Sequence, residues 1–226
     1  MAGRTVAVGL TPGQIVEAAL ALMDEHGQEW LTMRRLAEHL GVSAPTLYWH
    51  VKNREELMDL AIDAALDGGE FTTSDDPDWR VRVSEFMHGL RDRLTAHPWV
   101  TELTRNRYTH SVHQLTVHAV DVAASIGLPA TETADRARLM IWQVNGFTTM
   151  ENNIRAGTAY HQPVGRGSTF QVTSPVAPDE REATDYDAEL ATLDIDALFD
   201  LTVQLFIAGI ESVAGDRRST SRSRRR

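Results

Sequence analysis

The chain has 226 residues, 42% of them hydrophobic and 24% charged, and carries a formal net charge of −10. This composition suits a globular protein with a substantial core, and no apolar run approaches the roughly 20 residues needed to span a bilayer. There is no cysteine, which excludes disulfide scaffolds, thiolate metal sites and cysteine nucleophiles; with no charged-then-apolar leader, a cytoplasmic protein is expected.

The pattern is helical nearly throughout, without alternating strand residues, and predicts an all-α fold. Residues 1–10 read as a flexible arm. Thr11-Pro12-Gly13-Gln14 is a capping box with proline at the first helical position. It opens a helix whose Ile15, Ala18, Ala19 and Leu22 share a face, and Gly27 ends it. Thr32 caps a short helix over 33–40 that Gly41 stops. Ser43 caps a second short helix, with Pro45 in its first turn. Asn53-Arg54-Glu55-Glu56 is another capping box, and its helix runs to about Leu66. Gly68-Gly69 and the polar 72–76 form a linker. Longer helical patterns follow at 77–96, 98–106, 111–127, 131–157 and 188–213. Between the last two, 158–185 is rich in Gly, Pro, Ser and Thr and reads as a flexible loop. Residues 216–226 read as a basic, disordered tail.

The stretch from Thr32 to Tyr48 has the spacing of a helix-turn-helix. Two short helices crossing steeply need a small residue where they touch, supplied by Ala37. The turn needs a residue tolerant of positive φ, supplied by Gly41. Leu36, Leu40, Val42 and Leu47 then fall inward, and the second helix presents Ala44, Pro45, Thr46, Tyr48, Trp49 and His50 outward. Exposed Tyr and Trp on a short helix are costly without a partner. In a DNA reader they make sense, because hydroxyls and ring edges reach phosphates while the first turn reaches base edges. Packing of Tyr48 and Trp49 between the first four helices is the competing reading, with a real share for Leu47 and Trp49. Charge agrees with DNA locally: between Thr32 and Arg54, four cations (Arg34, Arg35, Lys52, Arg54) face only Glu38. The segment 217–226 holds six arginines and no acid, so the rest of the chain carries −16. A solvated end is the favoured reading of that segment, and added nonspecific DNA affinity the other.

Residues 11–66 resemble the DNA-binding domain of TetR-family transcriptional regulators. Ala-Pro-Thr-Leu-Tyr-Trp-His-Val-Lys-Asn, 44–53, is similar to the version in the tetracycline-repressor branch, as is the layout around His97-Pro98-Trp99, Gly127-Leu128-Pro129 and Asn145-Gly146. The resemblance implies a DNA-binding domain at 11–53 and a helical ligand-binding and dimerisation domain at 54–215. It implies DNA contacts from Thr32, Arg34, Ala44, Pro45, Thr46, Tyr48, Trp49, His50 and Lys52. It further implies a homodimer on a double-stranded DNA operator, released by a small-molecule effector. Two departures matter. The branch has a base-reading glutamine where this chain has Ala44, so the operator differs. A drug-contacting histidine is replaced by Asp67-Gly68-Gly69-Glu70, so a magnesium–tetracycline ligand is not implied.

In the second half, Val83, Phe86, Met87, Leu90 and Leu94 share a face. On the 131–157 helix Leu139, Trp142, Val144, Phe147 and Met150 are expected inward, with Gln143 and Asn145 nearby. Apolar walls with a few polar groups suit a small-molecule pocket as well as an ordinary core, and Phe86, Met87, Trp142, Asn145 and Phe147 are the candidates. The helix around 137–150 and the last helix, with Leu201, Leu205, Ala208, Gly209 and Val213, suit a four-helix interface between subunits. His110 and His113 at i, i+3 are too little for a metal site, and no phosphate loop, nucleophile elbow or carboxylate pair marks an enzyme. No cofactor is expected. The alternative is a helical binding protein or enzyme whose N-terminal domain has lost its DNA function.

Overall fold

The structure is a computed structural model that describes residues 10–67, 73–104, 107–156 and 192–223, with side chains as far as 213. The expected 158–185 loop, the start of the 1–10 arm and residues 224–226 lie outside the described residues. All regular structure among the described residues is helical: α1 (Pro12–His26), α2 (Met33–His39), α3 (Ala44–Tyr48), α4 (Arg54–Asp67), α5 (Trp79–Ala96), α6 (Val100–Leu103), α7 (His110–Ala124), α8 (Ala130–Arg155) and α9 (Ile195–Ser223). The chain divides into two compact units, residues 1–148 and 149–226.

Local chemistry explains where the early helices start and stop. At α1 the capping box is complete: the Gln14 N–H donates to Thr11 Oγ1 at 3.3 Å, and the Thr11 N–H to Gln14 Oε1 at 3.0 Å. Gly27 ends it at φ 82° and Gly41 makes the turn after α2 at φ 65°, both backbone conformations that a side chain disfavours. Thr32 caps α2 by accepting from Arg35 N. Ser43 does not cap α3. Its hydroxyl pairs instead with Thr46 Oγ1 at 2.8 Å, a local alternative open to short hydroxylated side chains. Asn53 accepts from Glu56 N at 2.8 Å, while the Glu56 carboxylate reaches one residue further back, to Lys52 N. The cap of α4 is therefore displaced from a reciprocal box.

In the first unit α4 is central. It packs on α1 on one side and on α6 and α7 on the other, while α2 packs on α1 and α3, and α5 on α7. Ile15, Ala19 and Leu22 of α1, Leu36 and Ala37 of α2, Leu47 of α3, and Leu57, Met58, Ala61 and Ile62 of α4 are buried together. The next layer uses Val83, Phe86, Met87 and Leu90 of α5 with Leu115, Ala119 and Val122 of α7. The expected domain boundary after Asn53 is thus no break in packing, because α4 contributes to both layers.

Long-range polar links join these layers. Asp24 of α1 accepts from Trp99 Nε1 at 2.7 Å and pairs with His97 Nδ1 at 2.9 Å. On α4, Asp59 pairs with Arg107 at 2.6 Å and Asp63 accepts from the Ser111 N–H at 2.8 Å, capping the start of α7. Arg54, at the start of α4, donates to the Leu31 and Gln28 carbonyls.

Two expectations are corrected here. The row of α8 that is buried is Ala137, Met140, Val144, Thr148 and Glu151, so Leu139, Trp142 and Met150 lie on the exposed face, with Trp142 66% exposed. Two apolar stripes compete on this helix, and the buried one includes polar groups satisfied along the helix itself: Thr148 Oγ1 donates to the Val144 carbonyl, and Glu151 pairs with Arg155. In the second unit, α9 continues unbroken to Ser223, through most of the segment expected to be disordered. Arginine is a good helix former, and extending an existing helix costs far less than nucleating one. On α9, Phe199, Val203 and Ile210 are buried while Leu198, Leu201, Leu205 and Val213 are exposed.

Candidate nucleic-acid interface and effector region

Burial of Leu47 decides how α3 is displayed. With that side chain fully enclosed and Val51 buried just beyond the helix, Tyr48, Trp49 and His50 have no inward direction left. Tyr48 is 51% exposed and Trp49 87% exposed, so the reading in which Trp49 packs among the first helices is excluded. Pro45 is exposed, and Ala44 and Thr46 are half-buried at the start of the same helix. Because the Thr46 hydroxyl is turned to Ser43, the first turn of α3 offers a mainly apolar edge. Thr32 is exposed, its hydroxyl committed to the α2 cap.

The nearby cations are each held by a local partner. Arg34 Nε pairs with Glu38 Oε1 at 2.9 Å, and that hydrogen bond, followed by the charge of Glu38, raises the Arg34 pKa further above its ordinary value. Lys52 Nζ lies 3.7 Å from Glu56. Arg35 donates to the Trp30 carbonyl at 2.8 Å and lies over the Trp30 ring at 4.6 Å. The expected contact residues therefore separate into the exposed end of α3 (Tyr48, Trp49, His50), its first turn, and two flanking cations aimed by carboxylates. Glu38 and Glu56 were not among the expected residues, although their i, i+4 spacing from Arg34 and Lys52 was visible in the sequence. Trp30 and Arg35 were missed as a stacked pair.

The effector candidates are less united. Phe86 and Met87 are closed into the core of the first unit. Asn145 is half-buried and donates to the Ile141 carbonyl at 3.1 Å, and Phe147 is half-buried with the Arg91 guanidinium 5.8 Å from its ring. Arg91 is itself buried, a charged group that hydrophobic periodicity alone could not flag. Phe86 also meets the His118 ring at 5.7 Å. Burial holds the His118 pKa below its ordinary value; Asp121 opposes that shift, and Arg82 and Arg93 add to it. Trp142 does not join this group. His113 is engaged by the Tyr108 hydroxyl at 3.0 Å.

An all-helical chain that displays aromatic and basic side chains from the second helix of a helix-turn-helix is built to bind duplex DNA. Residues 15–61 match the family model for bacterial regulatory proteins, tetR family, and 72–214 that for the tetracyclin repressor-like C-terminal domain. The chain is 31% identical over 218 residues to an HTH-type transcriptional regulator of Saccharopolyspora erythraea, covering 91% of this chain and 86% of that protein. Among solved structures it is similar to BioQ with its natural double-stranded DNA operator, at 31% identity and TM-score 0.57 over 66% of this chain and 94% of that one. It is also similar to the Streptomyces coelicolor TetR family protein ActR in complex with actinorhodin, at 27% identity and TM-score 0.67 over 92% and 100%. The chain belongs to the TetR family of bacterial regulatory proteins and is a DNA-binding transcriptional regulator.

Proposed function

We propose that the chain acts as a cytoplasmic homodimeric repressor, and not as an enzyme, with the exposed end of α3 reading the operator. The exposed Tyr48-Trp49-His50 run, held outward by buried Leu47, is the observation that carries this reading. Tyr48, Trp49, His50 and Lys52 would contact phosphates, with Thr32 at the start of α2 beside them. Ala44, Pro45 and the Thr46 methyl would meet thymine methyls, and Arg34, aimed by Glu38, would meet a base edge. Without an amide at position 44 the bidentate reading of adenine is lost, so the operator differs from those of the tetracycline repressors. The exposed apolar rows of α8 (Leu139, Trp142, Gly146, Met150) and of α9 (Leu198, Leu201, Leu205) suit burial by a second copy, which also supplies the second half-site reader.

The effector would enter where Asn145 and Phe147 are half-buried, beside buried Arg91, with Phe86 and Met87 as the wall behind. Asp24, Asp59 and Asp63 give a physical route from there to the DNA. All three lie on α1 or α4, and their partners His97, Trp99, Arg107 and Ser111 follow α5 in the chain. A ligand that binds one arrangement of that region more tightly shifts the population toward it and changes the half-site spacing.

The test is a fluorescence-anisotropy titration of the full chain against duplexes selected from a random pool, at fixed salt with competitor DNA. Saturable binding that Tyr48→Ala and Lys52→Ala each weaken, with unchanged helical content, is expected. Equal affinity of both variants and wild type would remove the assigned surface.

A further inference from the structure

We infer that Glu38 is a specificity-determining residue for DNA: its carboxylate neutralises Arg34 and holds it back from the phosphate backbone, so that Arg34 adds affinity only where a base edge receives it. The inference rests on the operator-binding reading above and deepens it. Geometry is the first argument. Glu38 Oε1 accepts from Arg34 Nε at 2.9 Å, and the two side chains are 61% and 86% exposed. Among the described residues neither side chain has another polar partner. Arg34 is thus held by Nε alone, and its two terminal amino groups remain to meet paired acceptors on a base edge. Towards a phosphate the same pair offers no net charge. A neutral pair displaces no counterions, so it adds little to binding that ignores sequence.

Stability does not account for a carboxylate at this place, and that is the second argument. Glu38 stands in the last turn of α2, where a negative charge faces the negative end of the helix dipole. A pair four apart on a helix is also weaker with the cation first, which is the order here. Glu56 makes the contrast. It lies in the first turn of α4, where an acid is favoured. Its carboxylate also accepts from the Lys52 N–H, so local structure explains it without reference to DNA. Position completes the case. Arg34 lies two residues past Thr32, the cap of α2, and α2 packs on α3, so the pair stands beside the surface assigned to DNA. A phosphate must draw Arg34 away from that carboxylate and meet the repulsion of Glu38. A base edge that receives the terminal amino groups leaves the Nε bond in place.

The test titrates the full chain by fluorescence anisotropy against a selected operator duplex and a scrambled duplex, between about 50 and 300 mM salt. The variants are Glu38→Gln, which keeps an acceptor for Nε and removes the charge, Arg34→Gln, and the two together. On the scrambled duplex Glu38→Gln should bind up to about eightfold tighter at ~0.1 M salt, with a log K against log[salt] slope steeper by up to ~0.9 per chain, the value of one phosphate contact. Operator affinity should rise less, so the preference between the duplexes narrows. Arg34→Gln alone should weaken operator binding far more than scrambled binding, and in the double variant the gain on scrambled DNA should vanish. The unfolding midpoint of Glu38→Gln should not fall, which separates the effect from lost structure. A scrambled-duplex affinity that Glu38→Gln does not raise would overturn the inference. So would an equal gain on both duplexes, or a gain that survives Arg34→Gln, since either makes Glu38 a plain source of repulsion. A wild type that prefers neither duplex would instead strike the operator-binding reading, while the Arg34 comparisons on scrambled DNA still decide whether Glu38 holds that cation back.

Discussion

Replacing Asp24 with alanine probes the link between the DNA-binding helices and the core beneath them. Asp24 is a partly exposed side chain that accepts from the indole N–H of Trp99, a residue only 6% exposed, at 2.7 Å. Removing the carboxylate strands that buried donor, which costs about 1–3 kcal/mol. The His97 pair is half-exposed and contributes less, about 0–1 kcal/mol. Two terms oppose the loss. An anion in the last turns of α1 faces the negative end of the helix, worth about 0.3–1 kcal/mol, and alanine is the better helix former by up to about 0.7 kcal/mol. The net expectation for Asp24→Ala is a destabilisation of about 1–2 kcal/mol, with Asp24→Asn losing less because its amide oxygen still accepts from Trp99. Urea unfolding at one fixed chain concentration measures this, since the proposed dimerisation would make stability concentration-dependent. The decisive comparison is Trp99→Phe made in both backgrounds: a coupling of about 1 kcal/mol or more is expected between the two sites. If Trp99→Phe costs the same with Asp24 present or absent, the hydrogen bond holds nothing and the proposed route through α1 fails.

Trp49→Ala should lower operator affinity at least about tenfold (~1.4 kcal/mol) while leaving the unfolding midpoint unmoved; a shifted midpoint with intact binding would mean the ring packs inside. Trp142→Ala should weaken self-association, seen by analytical ultracentrifugation at low micromolar concentration, more than it alters effector response; a changed effector response with an unchanged dimer would return Trp142 to the pocket. The pH dependence of stability should carry the signature of His118. Burial lowers its folded pKa below the ordinary 6.5, so the unfolded chain takes up the proton first as pH falls. The contribution is complete above pH 6.5 and is lost as pH drops from there toward the lowered folded value. His118→Gln should flatten that decline between about pH 7 and 5, and an unchanged pH profile would show that another group causes it.

The sequence made the DNA-binding half legible because its signals are local. The Thr11 capping box, the positive-φ demands at Gly27 and Gly41, and the inward spacing of Leu36 and Leu47 each act within a few residues. The display of Tyr48 and Trp49 followed from the same local geometry. Where two solutions satisfy one period, the sequence could not choose. On α8 the apolar residues Leu139, Trp142 and Met150 looked like the core face, yet the row with Thr148 and Glu151 is buried. Trp79 rather than Pro77 opens α5 because the Asp78 carboxylate caps it, accepting from Arg80 N. The 98–106 pattern shrank to the single turn Val100–Leu103. Partners far apart in sequence were not legible at all: Asp24 and His97 are 73 residues apart, and Asp63 and Ser111 are 48 apart.

Those distant partners also bear on how a regulator whose helix-turn-helix cations are engaged by local partners keeps its reader in place. Leu57, Met58, Ala61 and Ile62 are buried along α4, so the helix that follows Lys52 is packed along much of its length. Non-directional packing of this kind tolerates small sliding movements. The hydrogen bonds of Asp59 to Arg107 and of Asp63 to the Ser111 N–H are directional, so α4 cannot slide past the start of α7 without breaking them. Asp24 imposes the same restriction on α1 through Trp99 and His97. Displacing Trp99, Arg107 or Ser111 by about an ångström would therefore force a choice between carrying α1 and α4 along and leaving charged or buried polar groups unpaired, at about 1–3 kcal/mol each. Carrying them along is the cheaper outcome. Under the proposed function, α1 and α4 would then follow a movement of Trp99, Arg107 or Ser111.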